Sequence, residues 1–114
     1  MLKKNCSLIM SGDSEELIMQ LKGEIDHHSA VRIRTQMDGR INELLPKRAI
    51  LELSGIEFMD SSGVGLIMGR YMRMQAIGGK LIVRNPNERI VKIFKLAGLE
   101  KIVNIEVKES KNEG

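Results

Sequence analysis

A chain of 114 residues is the size of one ordinary domain and leaves no room for a second core. With 42% hydrophobic residues, and roughly two-thirds of its unfolded surface buried at this length, it can fold without metal or disulfide support. The net charge of +3 comes from scattered basic side chains interleaved with fifteen acids, and the aromatics are only Phe58, Tyr71 and Phe94. That pattern argues against the clustered basic face and stacking platforms of a nucleic-acid module.

At the start of the chain, residues 1–10 hold two lysines but neither a long apolar run nor a cleavage-site pattern, so no signal peptide is expected. The lone Cys6 has no internal disulfide partner and fits a reducing, cytoplasmic compartment. No apolar stretch approaches the ~20 residues of a membrane helix. Residues 7–10 and 17–21 read as two short strands separated by the turn formers Ser11-Gly12-Asp13-Ser14, an N-terminal hairpin. After Gly23-Glu24-Ile25-Asp26, apolar residues recur at Ala30, Ile33, Met37, Ile41 and Leu44, the spacing of an amphipathic helix that Pro46 closes.

Residues 49–53 form a short apolar strand, and a polar turn with Gly55 leads to a second run at 56–59. From Ser61, the residues Val64, Ile67, Tyr71 and Met74 share a helical face, with Met68 and Met72 beside them, until Gly78-Gly79 stops the helix. A buried strand at 81–83 follows. Asn85-Pro86-Asn87 opens a third helix with Ile90, Ile93, Phe94 and Ala97 on one face, ending at Gly98 before a last strand at 102–107. Lys92, Lys95 and Lys101 read as a solvated face of that helix and the turn after it.

The order ββαβαβαβ describes a single α/β domain whose mixed sheet joins an N-terminal hairpin to parallel strands, flanked by helices. Residues 1–5 and 109–114 are expected to fray.

The segment with chemistry to offer is Phe58-Met59-Asp60-Ser61-Ser62-Gly63-Val64-Gly65, which delivers a carboxylate and two hydroxyls to a strand-to-helix seam. Asp and Ser at such a seam cap the first turn by accepting free N–H groups, an effect of about 1 kcal/mol. Asp26 stands in the same relation to the first helix, and Ser62 reads as a cap. Gly63 and Gly65 permit close backbone approach, to the sheet or to a partner.

The string Gly23-Glu24-Ile25-Asp26-His27-His28, the Asp60-Ser61-Ser62-Gly63 turn, Gly69-Arg70-Tyr71 and Ile77-Gly78-Gly79 together resemble the anti-sigma factor antagonists of the STAS domain class. The resemblance spans residues 17–102 and is nearest to the antagonists of the sporulation sigma F switch in endospore-forming bacteria. A general-stress antagonist carries a very similar serine turn. The resemblance implies a mixed sheet flanked by helices and no catalytic activity in the chain itself. It implies phosphorylation of Ser61 by an anti-sigma factor that is also a serine kinase and holds the Mg-ATP. The unphosphorylated form binds that factor and frees the sigma factor; the phosphorylated form lets go, and a serine phosphatase resets it. Asp26, Asp60, Ser61, Ser62, Gly63 and Gly65 would form the partner-binding edge.

Other chemistries fit the residues poorly. His27 and His28 suggest a metal or a phosphoesterase signature, but they are the chain's only histidines and no further clustered ligands accompany them. Gly63-Val64-Gly65 with Gly69 imitates a dinucleotide fingerprint with three residues, not two, before the last glycine. A serine nucleophile at Ser61 lacks an identifiable base and orienting acid. A STAS scaffold without phosphorylation, as in transporter-linked domains, shares the fold, but the intact serine turn and the lack of a membrane segment disfavour it.

Overall fold

A computed structural model describes residues 6–107, so the fraying expected at 1–5 and 109–114 lies outside the described residues. The strands β1 (Cys6–Gly12) and β2 (Glu16–Ile25) form the expected hairpin, both longer than the alternation suggested. Asp13 closes their turn: its carboxylate accepts the backbone N–H groups of Glu15 and Glu16 at 2.9 and 3.1 Å, which pull its pKa below the ordinary carboxylate value. Then follow α1 (His27–Leu44), β3 (Arg48–Met59), α2 (Ser61–Ala76), β4 (Lys80–Arg84), α3 (Glu88–Ala97), a short 3-10 turn (Leu99–Lys101) and β5 (Asn104–Glu106). The sheet runs β1-β2-β3-β4-β5, antiparallel only at its first pair.

Because each parallel connection steps to the next strand in the same direction, right-handed crossovers bring all three helices to one face. There Leu17, Met19 and Leu21 of β2 and Ala49, Leu51 and Leu53 of β3, all fully buried, meet Ile33, Met37 and Ile41 of α1. Leu66, Ile67 and Met74 of α2 and Ile90 and Phe94 of α3 complete this core. Ile50 and Ile82 are buried on the opposite face of the sheet, outside that cluster.

Three local expectations are corrected. The break at Gly55 is no turn: β3 is one twelve-residue strand that carries an extra residue between Glu52 and Gly55 and another between Ile56 and Phe58, relative to β2. A backbone that bulges keeps its place in the sheet while presenting polar residues out of step with period two. Gly55 is required there, since a Cβ would lie 2.8 Å from the Leu21 carbonyl oxygen. In α2 the buried stripe is Gly63, Leu66, Ile67, Arg70 and Met74, while Val64 and Tyr71 are only partly buried and Met72 is exposed. The last strand is three residues, not six, because residues 99–103 are spent in a tight turn.

Arg70 accounts for the rotated stripe. Its side chain, 6% exposed, places Nε 2.9 Å from Asp38 Oδ1 on α1, and Arg73 Nε lies 3.3 Å from the same oxygen. The Arg70 approach is off line for a hydrogen bond, and its Nη1 has no hydrogen-bond partner among the described residues. Burial pulls the Arg70 pKa down, and the Asp38 charge opposes that pull.

Candidate functional site

Parallel strands that are neighbours end side by side, and so do the helices that follow them. β2 and β3 are paired to their last residues, Ile25 opposite Met59, and the Asp60 N–H donates to the Ile25 carbonyl at 3.2 Å. Asp26 and Asp60 are therefore equivalent positions on adjacent strand ends, each the N-cap of its helix. This rim, at the carboxyl ends of the parallel strands, is where open α/β sheets present binding groups.

The two caps differ in completeness. Asp26 forms a capping box: its Oδ1 accepts the Ser29 N–H at 2.9 Å, and the Ser29 hydroxyl accepts the Asp26 N–H at 2.9 Å. Asp60 Oδ1 accepts the Ser62 N–H at 2.8 Å. The expectation that Ser62 caps is thus corrected, since Ser62 contributes its backbone N–H and the carboxylate of Asp60 does the capping. Ser61 is the first residue of α2 and exposed, and among the described residues nothing hydrogen-bonds its hydroxyl. Its Oγ stands free at a helix N-terminus, where backbone N–H groups and the macrodipole favour an added negative charge by roughly 0.3–1 kcal/mol.

The two glycines of the turn separate cleanly. A Cβ on Gly63 would sit 2.5 Å from Met59 Sδ and 2.9 Å from Met59 Cβ, so Gly63 lets α2 lie close on the end of β3. A Cβ on Gly65 would meet nothing within 4 Å, and that residue is exposed. His27 and His28 open α1, both exposed, with ring centroids 6.2 Å apart in an edge arrangement. Among the described residues no group of three His, Cys, Asp or Glu side chains could hold a metal ion.

One feature of the rim escaped the sequence reading. Beside Ser61 runs a groove of about 390 Å³ lined by Asp60, Ser61, Val64, Ile93, Leu96 and Ala97. Of the face shared by Ile90, Ile93, Phe94 and Ala97, Ile93 is partly buried against the core and Ala97 is exposed, while Leu96 beside them is 90% exposed. The groove exists because α3 is drawn against β3: the Asn87 side chain caps α3 through the Ile90 N–H at 2.9 Å and donates to the Ile56 and Glu57 carbonyls, each at 3.2 Å. The one available signal was Leu96, an apolar residue off the buried stripe of its helix.

The STAS domain family model matches residues 7–113. An anti-sigma F factor antagonist from Lysinibacillus sphaericus is 39% identical over 85 residues, covering 75% of this chain and 73% of the relative. The solved structure of the anti-sigma factor antagonist SpoIIAA in its unphosphorylated form aligns with a TM-score of 0.80 at 30% identity, over 91% of this chain and 90% of that one. The phosphorylated form of the Bacillus cell fate determinant SpoIIAA aligns with a TM-score of 0.72 at 30% identity, over 91% and 93%.

Proposed function

The chain belongs to the STAS domain family, and from that premise we propose that it is an anti-sigma factor antagonist, a regulator that acts by binding and is switched by phosphorylation of Ser61. In its unphosphorylated form it binds an anti-sigma factor with serine kinase activity and so frees a sigma factor, the sporulation sigma F. A phosphate on Ser61 ends that binding, and a serine phosphatase restores it. Mg-ATP belongs to the kinase, and the exchange takes place in the cytoplasm. The antagonist name of the 39% relative and the solved phosphorylated form of a 30% relative support this reading.

The observation that carries it is the free Ser61 hydroxyl, exposed on a rim that already holds two cap carboxylates and borders an apolar groove. Phosphorylation adds about −1.5 to −2 charge. The helix N-terminus accepts that charge, so the free protein keeps its fold. The cost falls on the complex: a dianion beside Asp60 and Asp26 replaces a neutral hydroxyl at a surface fitted to it. Several kcal/mol there corresponds to several powers of ten in affinity, at about 1.4 kcal/mol per tenfold.

The test is incubation with Mg-ATP and the cognate anti-sigma factor kinase, followed by intact-mass and phosphopeptide analysis. One phosphate, on Ser61, is expected. Ser61→Ala should bind the kinase partner constitutively and Ser61→Asp at least tenfold more weakly, with unchanged circular dichroism. Equal affinities for the two variants would refute the charge mechanism, and no phosphate from a kinase active on another antagonist would leave Asp60-Ser61 as a helix start alone.

A further inference from the structure

The two edges of the sheet are treated differently. β5 is three residues long and carries Glu106, whose Oε1 lies 3.4 Å from Arg84 Nε, so it offers little to a new strand. β1 is seven residues long, Cys-Ser-Leu-Ile-Met-Ser-Gly, with no proline and no charged side chain, and among the described residues only β2 pairs with it, on one side. Native edges are usually blunted by a charge, a proline, a bulge or brevity, and β1 has none of these. Its first carbonyl, Cys6 O, is covered, accepting from Arg32 Nη2 at 2.8 Å.

From Ser7 to Ser11 the strand is also a chemical palindrome about Ile9. Ser7, Ile9 and Ser11 alternate on the helix-free face of the sheet, with Ile9 66% exposed, and Leu8 and Met10 lie on the core face, each only partly buried. Antiparallel pairing of β1 with its own copy, centred on Ile9, sets Ile9 against Ile9, Ser7 against Ser11 and Leu8 against Met10. From residue 7 to residue 11 each side chain then meets one of its own kind, as an isologous two-fold contact requires, and only Cys6 opposite Gly12 breaks the match.

We propose that β1 is a self-pairing edge, through which two copies of this chain join their sheets by antiparallel β1–β1 pairing centred on Ile9. The pair leaves both Ser61 rims free, because Ser61 follows β3, the middle strand, and its groove lies between α2 and α3. A dimer thus presents two switch sites at once and can hold two partners or a two-fold partner.

Sedimentation equilibrium of the full chain over a concentration series tests this, alongside Ile9→Lys and Ile9→Cys. A monomer–dimer equilibrium is expected whose dissociation constant rises at least tenfold in Ile9→Lys, with unchanged circular dichroism because Ile9 is exposed. Mild oxidation of Ile9→Cys should yield a dimer whose linking peptide joins position 9 to position 9. A chain that stays monomeric throughout the series, a dimer unmoved by Ile9→Lys, or a cross-link confined to other positions would overturn the proposal.

Discussion

Ser61 and Ser62 are neighbours in one turn with different duties, and a single hydrogen bond separates them. Asp60 takes the Ser62 N–H and, among the described residues, leaves the Ser61 hydroxyl without a partner. The same division holds for the glycines. Gly63→Ala forces a methyl group onto the buried Met59 and should lower stability by about 1–3 kcal/mol in urea unfolding. Gly65→Ala meets open space within a helix and should raise stability by up to about 1 kcal/mol. Weaker binding of the partner by the stabilised Gly65→Ala variant would then report a surface that needs that position bare. The residue identities of this turn were legible in the sequence. Which oxygen caps and which stands free was not, since Asp60, Ser61 and Ser62 are all competent caps.

At the scale of elements, the helices repeat one device: a polar N-cap at the end of a strand, with Asp26, Asp60 and Asn87 in that role. The sequence named the sites because capping follows from residue type and position. It left open whether Asp26 caps or meets a partner, and the capping box answers the first half. Asp26→Ala should cost about 1 kcal/mol of stability, whereas Asp26→Asn, an equally good cap, should leave the melting temperature nearly unchanged. If Asp26→Asn binds the anti-sigma factor as tightly as the native chain, its carboxylate is a cap and nothing more; the proposed role requires several-fold weaker binding. The missed continuity of β3 and the missed buried stripe of α2 share a cause. The bulges in β3 and the burial of a charged residue in α2 both break the periodicity from which faces are read.

For the whole molecule, α1 and α2 are held together by an apolar seam and one ionic contact, Asp38 with Arg70 and Arg73. The two sides of that contact are unequal. Arg70 is almost fully buried and Asp38 is its counter-charge, while Asp38 is partly exposed and has Arg73 as a second partner. Asp38→Ala should therefore cost about 3–5 kcal/mol, leaving a buried cation uncompensated, and Arg70→Met clearly less. Chemical denaturation of the two variants checks the order, and a reversed order would mean that Asp38, not Arg70, is the group stranded by the loss of its partner.

The sequence by itself determined the order of elements, the mixed sheet, the three helix starts and the serine turn, because these follow from local periodicity, caps and turn residues. Only the tertiary structure decided which residues share a surface. The pairing of β2 with β3 brings Asp26 beside Asp60, though 34 residues separate them, and the docking of α3 on β3 through Asn87 opens the groove next to Ser61. The palindromic edge of β1 is written in the sequence, but its freedom is not: a strand becomes an edge only when the rest of the chain has paired elsewhere. Such arrangements depend on contacts between residues far apart along the chain, and no local pattern encodes them.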